Sequence, residues 1–228
     1  EVYKAIGYTG NSTDGRLIDT GFTTDFAMAM PRNTTKSNGF CTSNRLTGGQ
    51  YLQTASTQVE LPDDVFYKTN NYDAFSTQSG VYVGNYSDAN IYVGVFLTIL
   101  YGFKRAKGFF DVVCYTGTGV ARTVNHNLGV VPELMIVKCR SIGGAAYLWA
   151  TWSTGYTGAG LYLNESDVFP GDSPTIPASG HTSSVLSLAT SLTVNGAGAT
   201  YVAYLFASLP GISKVGSYTG NGTTQTIN

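Results

Sequence analysis

One short phrase returns three times along the chain, and its spacing restricts the fold more than any other feature of the sequence. The copies read KAIGYTGNST at 4–13, DVVCYTGTGV at 111–120 and KVGSYTGNGT at 214–223. Their tyrosines, Tyr8, Tyr115 and Tyr218, lie 107 and 103 residues apart. Solenoids and propellers repeat every ~20–50 residues, whereas ~100 residues is the size of a whole domain. The spacing therefore predicts tandem domains of one kind.

The ends of the repeats support the same division. A strongly apolar, aromatic strand lies near the end of each repeat, at 91–96 and at 201–206. A short linker containing glycine follows each of them, and short linkers favour a rod of closely spaced domains over a flexible tether. Fibres and adhesins are built as such arrays. We therefore predict three units: domain 1–108, domain 109–213 and the start of a third repeat at 214–228.

The composition excludes a surface built for polyanions. Charged residues make up 12% of the chain, about half the usual share. Because 13 basic residues face 14 acidic ones, the formal net charge is −1. Such a chain has no field to hold DNA or RNA, so we expect no nucleic-acid partner. Apolar residues, at 43%, suffice for two cores of domain size.

Short β-rich runs between turn residues cover both repeats. Examples are DFAMAM and GVYVGN in the first repeat, and DVVCYTG, ELMIVKC and TYVAYLFA in the second. These runs are rich in β-branched and aromatic residues and end at Gly, Asn, Asp or Pro, as strands do. No stretch sustains apolar residues at helical spacing. The pattern predicts an all-β fold, with two tandem antiparallel β-sandwich domains, jelly-roll or lectin-like, plus the first strand of a third repeat.

The cysteines and the apolar runs bear on the cell compartment. Cys41, Cys114 and Cys139 are odd in number and form no CxxC pair. Cys114 and Cys139 lie in apolar runs, where a small buried hydrophobe is the first interpretation and a disulfide the second. The longest apolar stretch, at 91–103, is shorter than the ~18–20 residues of a membrane span. We therefore expect folding in a reducing cytoplasm and no membrane insertion.

Three segments carry a family resemblance. They are FKRAKGFFDVVCYTGTGVARTVNHNLGVVPELMIVKCRS at 103–141, ATSLTVNGAGATYVAYLFA at 189–207 and TYVAYLFASLPGISKVGSYTGNGTTQTIN at 200–228. They resemble tail-fibre and tail-appendage proteins of tailed bacteriophages, which carry tandem β-sandwich repeats, and the resemblance is weaker over 1–102. It implies a virion tail protein, assembled in the bacterial cytoplasm, that forms homo-oligomers, normally trimers, and contacts other tail proteins. It supplies no catalytic residue and no cofactor.

An aromatic run in the second repeat is the first candidate for a binding site. On a β-strand Tyr147 and Trp149 share one face and Trp152 lies on the other, so one face must be core and the other could present an aromatic ring to solvent. A free aromatic face, with Tyr156 close behind, could stack on a sugar of a host surface polysaccharide. The alternative is that these aromatic residues fill the sandwich interior or a seam between subunits.

Acidic loops and histidines are weaker candidates. Ca²⁺ needs several converging oxygens, and a glycosidase needs two carboxyls across a cleft. Loop acids at the density seen here are ordinarily solvated turn formers, and His126 and His181 have no metal-ligand spacing. We therefore expect no metal and no catalytic group. The residues weighed as Ca²⁺ ligands are Asn164, Glu165, Asp167 and Asp172.

These observations together predict a non-enzymatic segment of a phage tail appendage with a structural and host-adhesion role. A pure spacer, with the receptor site elsewhere, fits the same observations. A polysaccharide depolymerase fragment and a secreted lectin are the alternatives from other classes. Glycan on a sequon such as Asn11 or Asn85 would support the lectin.

Overall fold

In the computed structural model of the chain, the described regular elements are antiparallel β-strands and one short helix. Among the residues described, no helix combines the length and the apolar character that crossing a bilayer requires. The structure describes residues 1–32, 39–62, 65–66, 73–84, 97–144, 147–154, 161–165, 176–177 and 179–227.

The first repeat folds into a five-stranded sheet faced by a two-stranded sheet. The order in the large sheet is β1-β7-β3-β4-β5, and β2 pairs with β6 in the small one. The strands are β1 (Tyr3–Thr9), β2 (Arg16–Asp19), β3 (Phe26–Pro31), β4 (Cys41–Asn44), β5 (Leu52–Gln53), β6 (Gly80–Val83) and β7 (Leu97–Phe103).

The second repeat has the same arrangement. Its large sheet has the order β12-β11-β10-β14-β8, and β13 pairs with β9. A one-turn helix, α1 (Leu192–Asn195), precedes the last strand. The strands are β8 (Phe110–Thr116), β9 (Arg122–Asn125), β10 (Leu134–Cys139), β11 (Ala150–Ser153), β12 (Leu161–Tyr162), β13 (Val185–Leu188) and β14 (Thr200–Phe206).

The two repeats match strand by strand and in register. In the first large sheet Tyr3 pairs with Phe103, and in the second Phe110 pairs with Phe206. The small sheets agree as well, since Arg16 pairs with Val83 and Arg122 with Leu188. Equivalent positions can therefore be compared one to one between the repeats. The equivalences used below include Met30/Lys138, Arg32/Arg140 and Phe40/Trp149.

Each sandwich has its own core between the large and the small sheet. Ala27, Leu100 and Cys41 belong to the first core, and Val137, Ala203 and Cys139 to the second. Alternate residues of each strand point inward, as the two-residue period of a strand requires. The predicted all-β sandwich fold is confirmed. Its described strands divide five and two, whereas a jelly roll divides eight strands between two sheets.

The repeated phrase marks the end of the first strand in each repeat. Tyr115 packs on Tyr201 with ring centroids 5.3 Å apart, and its hydroxyl donates to the Val194 carbonyl at 2.7 Å. Two residues later, a Cβ on Gly117 would lie 2.2 Å from the Gly196 carbonyl oxygen. In the second copy, the phrase therefore needs a tyrosine to anchor the strand in the core and a glycine to let two backbones approach.

The third copy of the phrase differs from the first two. Residues 214–227 form no strand, although we predicted the first strand of a third repeat there, and Tyr218 is 70% exposed. In the first two repeats this strand pairs with the last strand of the same repeat. Residues 214–227 have no such partner strand in the described part of the chain. An unpaired strand leaves its backbone groups to water, so the β conformation is not stabilised.

Candidate functional site: the seam between the sandwiches

The outer faces of the two large sheets are in contact, and we call this contact the seam. Strands β3 and β14 are apolar on both sides, because one side faces a sandwich core and the other faces the seam. The buried seam residues are Phe26 and Leu52 from repeat 1, and Phe109, Phe110, Val112, Trp149, Val202 and Tyr204 from repeat 2. The seam is thus a third hydrophobic core, shared by the two repeats.

Aromatic rings join the two sheets across the seam. Phe26 lies 4.4 Å from Tyr204 and 5.6 Å from Phe110, measured between ring centroids. Phe103 lies 5.5 Å from Phe110 and 6.1 Å from Phe206. Such pairs contribute about 0.5–1.5 kcal/mol each beyond the area that they bury. The rings hold the two sandwiches in one relative orientation.

Trp149 is the largest side chain in the seam and is 1% exposed. Its indole Nε1–H donates to two main-chain carbonyls of repeat 1, Gln53 and Ser56, each at 3.1 Å. Its ring stacks on Tyr204 at 6.4 Å. Trp149 therefore supplies both apolar area and a satisfied polar group, as a buried indole requires.

Two basic residues, Lys138 of β10 and Arg140 just after it, complete the seam on its polar side. Arg140 Nε and Nη2 donate to Glu60 Oε2 at 2.9 and 2.6 Å, with the Glu60 side chain 8% exposed. Lys138 is fully buried, and its Nζ donates to the carbonyls of Tyr147, Cys139 and Thr57 at 2.9, 3.1 and 3.4 Å. All three ammonium protons thus have acceptors, but all the acceptors are uncharged. Burial therefore lowers the pKa of Lys138 to about 8.

We expect this lysine to make the stability of the wild type rise with pH. The pKa of Lys138 is near 8 in the folded protein, below the ordinary value of 10.5 that applies to the unfolded chain. Between pH 8 and pH 10.5 the unfolded chain therefore keeps a proton that the folded protein has lost, and stability rises with pH. The free energy of unfolding should rise by about 2–3 kcal/mol as pH increases from 7 through 10. Methionine occupies the equivalent position 30 of repeat 1, so Lys138→Met is the natural comparison.

Urea denaturation of both proteins between pH 7 and 9.5 measures this difference. The other ionisable residues are the same in both proteins, so the difference between the two curves reports on Lys138 and its immediate surroundings. We expect the free energy of unfolding of the wild type to rise relative to that of Lys138→Met as pH increases. Parallel curves would contradict the assignment of a buried charged lysine.

The linker between the repeats is fixed by two carboxylates. Asp25 Oδ2 accepts from the Arg105 backbone N–H at 2.8 Å. Asp111, 2% exposed, accepts from Arg105 Nε at 2.5 Å and from the Asn127 backbone N–H at 2.6 Å. Hydrogen bonds from charged and backbone donors to a buried carboxylate are short and strong, so they hold the groups that they join in place. The linker therefore has a defined path.

The aromatic residues predicted to bind glycan lie mostly in the interior. Trp152 is 8% exposed in the second core, opposite to Trp149, as the alternation of a strand predicted. Tyr147 packs partly against that same core, so our prediction that it shares a face with Trp149 is wrong, because β11 begins only at Ala150. Neither indole has an exposed face on which a sugar could stack. Tyr156 lies outside the described residues.

The candidate calcium ligands are partly engaged elsewhere. Asn164 Oδ1 accepts from the Trp149 backbone N–H at 2.9 Å, and its Nδ2 lies 3.5 Å from Glu165 Oε1. Asp167 and Asp172 lie outside the described residues. Within the residues that the structure describes, no group of three His, Cys, Asp or Glu side chains converges as metal ligands would. Asn164 instead fixes the backbone at Trp149, just before β11.

Both histidines are bonded to the main chain. His126 Nδ1 accepts from Leu128 N at 3.2 Å, and its Nε2 lies 3.1 Å from the Thr182 carbonyl. His181 Nδ1 accepts from Ser187 N at 3.1 Å, and its Nε2 lies 2.8 Å from the Pro177 carbonyl. These bonds assign the neutral form with the proton on Nε2. Burial lowers the pKa of both rings, which suits structural histidines.

A shallow cleft of about 390 Å³ lies at one end of the seam. Its lining is mainly hydrocarbon, and Ser213 and Lys214 are its polar residues. A sugar site needs several converging polar groups as well as an apolar floor. The cleft therefore favours apolar contact over carbohydrate. Its apolar lining includes Tyr3, Phe103, Leu134, Phe206, Ile212 and Val215.

One family model matches the chain. It describes a domain of unknown function, DUF7483, and it matches residues 103–227, slightly more than half of the chain. The matched part contains β8–β14 and continues into the third copy of the repeated phrase. No curated protein and no solved structure matches the chain.

Proposed function

We propose that this chain, which belongs to the DUF7483 family, is a non-enzymatic structural segment of a phage tail appendage. The observation that carries the proposal is the seam, which joins two sandwiches of one design through a shared core. A virion shaft must transmit force and keep its shape, and a buried contact between successive domains serves both needs. The resemblance of 103–228 to tail-appendage proteins supports the placement in a tail.

The position of the aromatic residues favours a shaft over a receptor-binding tip. Trp149 is used to join the repeats, and Trp152 fills a core. The ring faces that would stack on a sugar are thus buried in protein contacts at these two residues. Host adhesion, the other half of the sequence-based expectation, is a separate property that a binding experiment can test.

Immunogold labelling of purified virions tests the placement. Antibodies against residues 1–228 should label the tails of the phage that encodes the chain. Label on host cells alone, with bare virions, would overturn the proposal.

Exposure of the labelled chain to a panel of bacterial surface polysaccharides tests the role. We expect neither saturable binding nor turnover from a shaft segment. Saturable binding would make the segment an adhesin, and turnover would make it a depolymerase; either result would overturn the shaft role.

A further inference from the structure

Both histidines of the chain belong to the second repeat, and they connect two of its segments. We call residues 126–128 the histidine turn and residues 179–187 the histidine loop. His126, in the turn, lies with its Nε2 3.1 Å from the Thr182 carbonyl of the loop. His181, in the loop, is hydrogen-bonded at both ring nitrogens. The two imidazoles therefore hold the turn and the loop in place.

The histidine turn also holds the linker between the repeats. The Asn127 backbone N–H donates to Asp111 Oδ2 at 2.6 Å, and the Leu128 carbonyl accepts from the Gly108 backbone N–H at 2.7 Å. The Leu128 side chain is fully buried in the second core. The turn is thus one hydrogen-bonded unit, with the linker on one side of it and the histidine loop on the other.

The direction of the hydrogen bond at each Nδ1 atom makes this unit sensitive to acid. Nδ1 of His126 accepts from Leu128 N at 3.2 Å, and Nδ1 of His181 accepts from Ser187 N at 3.1 Å. An imidazolium carries a proton on both nitrogens and has no acceptor. A proton added at Nδ1 would point at the hydrogen of a backbone N–H. Each of these bonds must therefore break when its ring is protonated.

Repeat 1 builds the equivalent turn with a hydroxyl. Thr20 occupies the position of His126, because its backbone N–H donates to the Ser79 carbonyl at 2.7 Å, as that of His126 donates to Ser184 at 2.8 Å. The Thr20 hydroxyl takes the place of Nδ1 and accepts from the Phe22 N–H at 3.4 Å. A neutral hydroxyl keeps its acceptor lone pairs in mild acid. The turn thus requires an acceptor at this position, and only repeat 2 uses one that titrates near neutral pH.

We infer that the histidine turn and the histidine loop form an acid-sensitive latch on the linker, which opens when His126 and His181 are protonated while repeat 1 stays closed. In the open form Leu128 N and Ser187 N lose their acceptors, and the turn no longer fixes the linker. An ordinary imidazole titrates near pH ~6.5, so the latch is closed at neutral pH and opens as the pH falls below that value. The latch is a conformational property of the chain, separate from its proposed structural role.

Burial and the neighbouring charges set the sign of the effect. Burial is the largest influence and lowers the pKa of both rings, so the open form binds the proton more tightly than the closed form. The Thr182 carbonyl and Asp111 of β8 act on His126 in the opposite direction, without outweighing burial. Asp111 is also paired with Arg105 of the linker at 2.5 Å. A charge on His126 further disfavours a proton on His181.

Hydrogen exchange of the full chain, compared at about pH 7 and about pH 5.5 and corrected for the intrinsic rates, measures the opening. Both values lie above the ordinary pKa of ~4 for Asp and Glu, so this step titrates imidazoles rather than carboxylates. We expect the protection of the amides of Gly108, Leu128 and Ser187 to fall by up to ~8-fold for each histidine that controls them. Phe22 is the internal control and should stay within ~2-fold. Equal protection of all four amides at the two pH values would overturn the inference.

His126→Asn is the matched variant, because asparagine offers an acceptor to the N–H two residues on and does not titrate. The chain uses this turn elsewhere, since Asn44 Oδ1 accepts from Leu46 N at 3.0 Å. We expect His126→Asn to keep the protection of Leu128 at both pH values, while Ser187, which depends on His181, still loses protection in acid. A variant in which Leu128 loses protection as steeply as in the wild type would overturn the inference.

Nitrogen NMR of the imidazoles tests the wild type without any substitution. We expect both rings at neutral pH to carry the proton on Nε2 and both to titrate below the ordinary ~6.5. A proton on Nδ1, or a titration midpoint above that value, would overturn the inference. Both experiments use the purified chain, so their outcome is independent of whether the protein is found in a phage tail.

Discussion

Replacing Trp149 with alanine is expected to lower the free energy of unfolding by about 3–5 kcal/mol. The side chain is 1% exposed in the seam, so its removal leaves a cavity lined by Tyr204 and by the 53–56 segment. The carbonyls of Gln53 and Ser56 lose their indole donor at the same time. Urea denaturation of the two proteins at one pH measures the loss.

The repeat supplies a matched control for this substitution. Phe40 occupies the position equivalent to Trp149, but it lies outside the seam cluster and is half-buried. Phe40→Ala should therefore cost less than about 2 kcal/mol. Equal losses from the two substitutions would contradict the assignment of Trp149 to a shared core.

Replacing Glu60 with alanine is the second large effect, with an expected cost of about 2–4 kcal/mol. The substitution leaves the Arg140 guanidinium, whose side chain is 19% exposed, without its carboxylate. Removing one partner of a mostly buried pair costs more than removing both, because the surviving charge stays desolvated. Equilibrium denaturation at neutral pH measures this cost.

A double substitution tests the reason for that cost. Glu60→Leu combined with Arg140→Met should recover most of the stability that Glu60→Ala loses. Arg32→Ala, at the exposed equivalent of Arg140, should change stability by less than about 0.5 kcal/mol. A double variant less stable than Glu60→Ala would contradict the assignment of an uncompensated charge.

Much of the fold could be predicted from the sequence because the repeat and the strand period act locally. The run TYVAYLFA predicted a strand at 201–206, and β14 occupies Thr200–Phe206. The first strands of the two repeats, β1 and β8, also differ in a way that points to the seam. YKAIGYT alternates exposed and half-buried or buried residues, whereas FDVVCYT is half-buried or buried on both faces before its last residue. A strand apolar on both faces indicates a sheet covered on both sides.

The seam itself could not be predicted, because its partners are far apart in sequence. Trp149 meets the carbonyls of Gln53 and Ser56, which precede it by 96 and 93 residues. An apolar run shows that a face is buried, but it does not show what buries it. The aromatic run at 147–152 therefore allowed both a sugar-stacking face and a buried seam. The lone strand expected at 214–228 failed for a similar reason, since a strand needs a partner that local sequence does not specify.

Two sandwiches that share a core should unfold as one unit, and the three cysteines of the chain report on this separately. Cys41 lies in the first core, Cys139 in the second, and Cys114 packs partly buried against the seam. None of the three forms a disulfide bond. Pulsed thiol labelling across a urea gradient, read by mass spectrometry at each residue, reports the opening of each core separately.

We expect Cys41, Cys114 and Cys139 to become reactive together at one urea concentration. We also expect Trp149→Ala to separate the Cys41 transition from that of Cys139. Two separate transitions in the wild type, with Cys114 labelled before either core opens, would show that the repeats are independent domains and would contradict the shared seam.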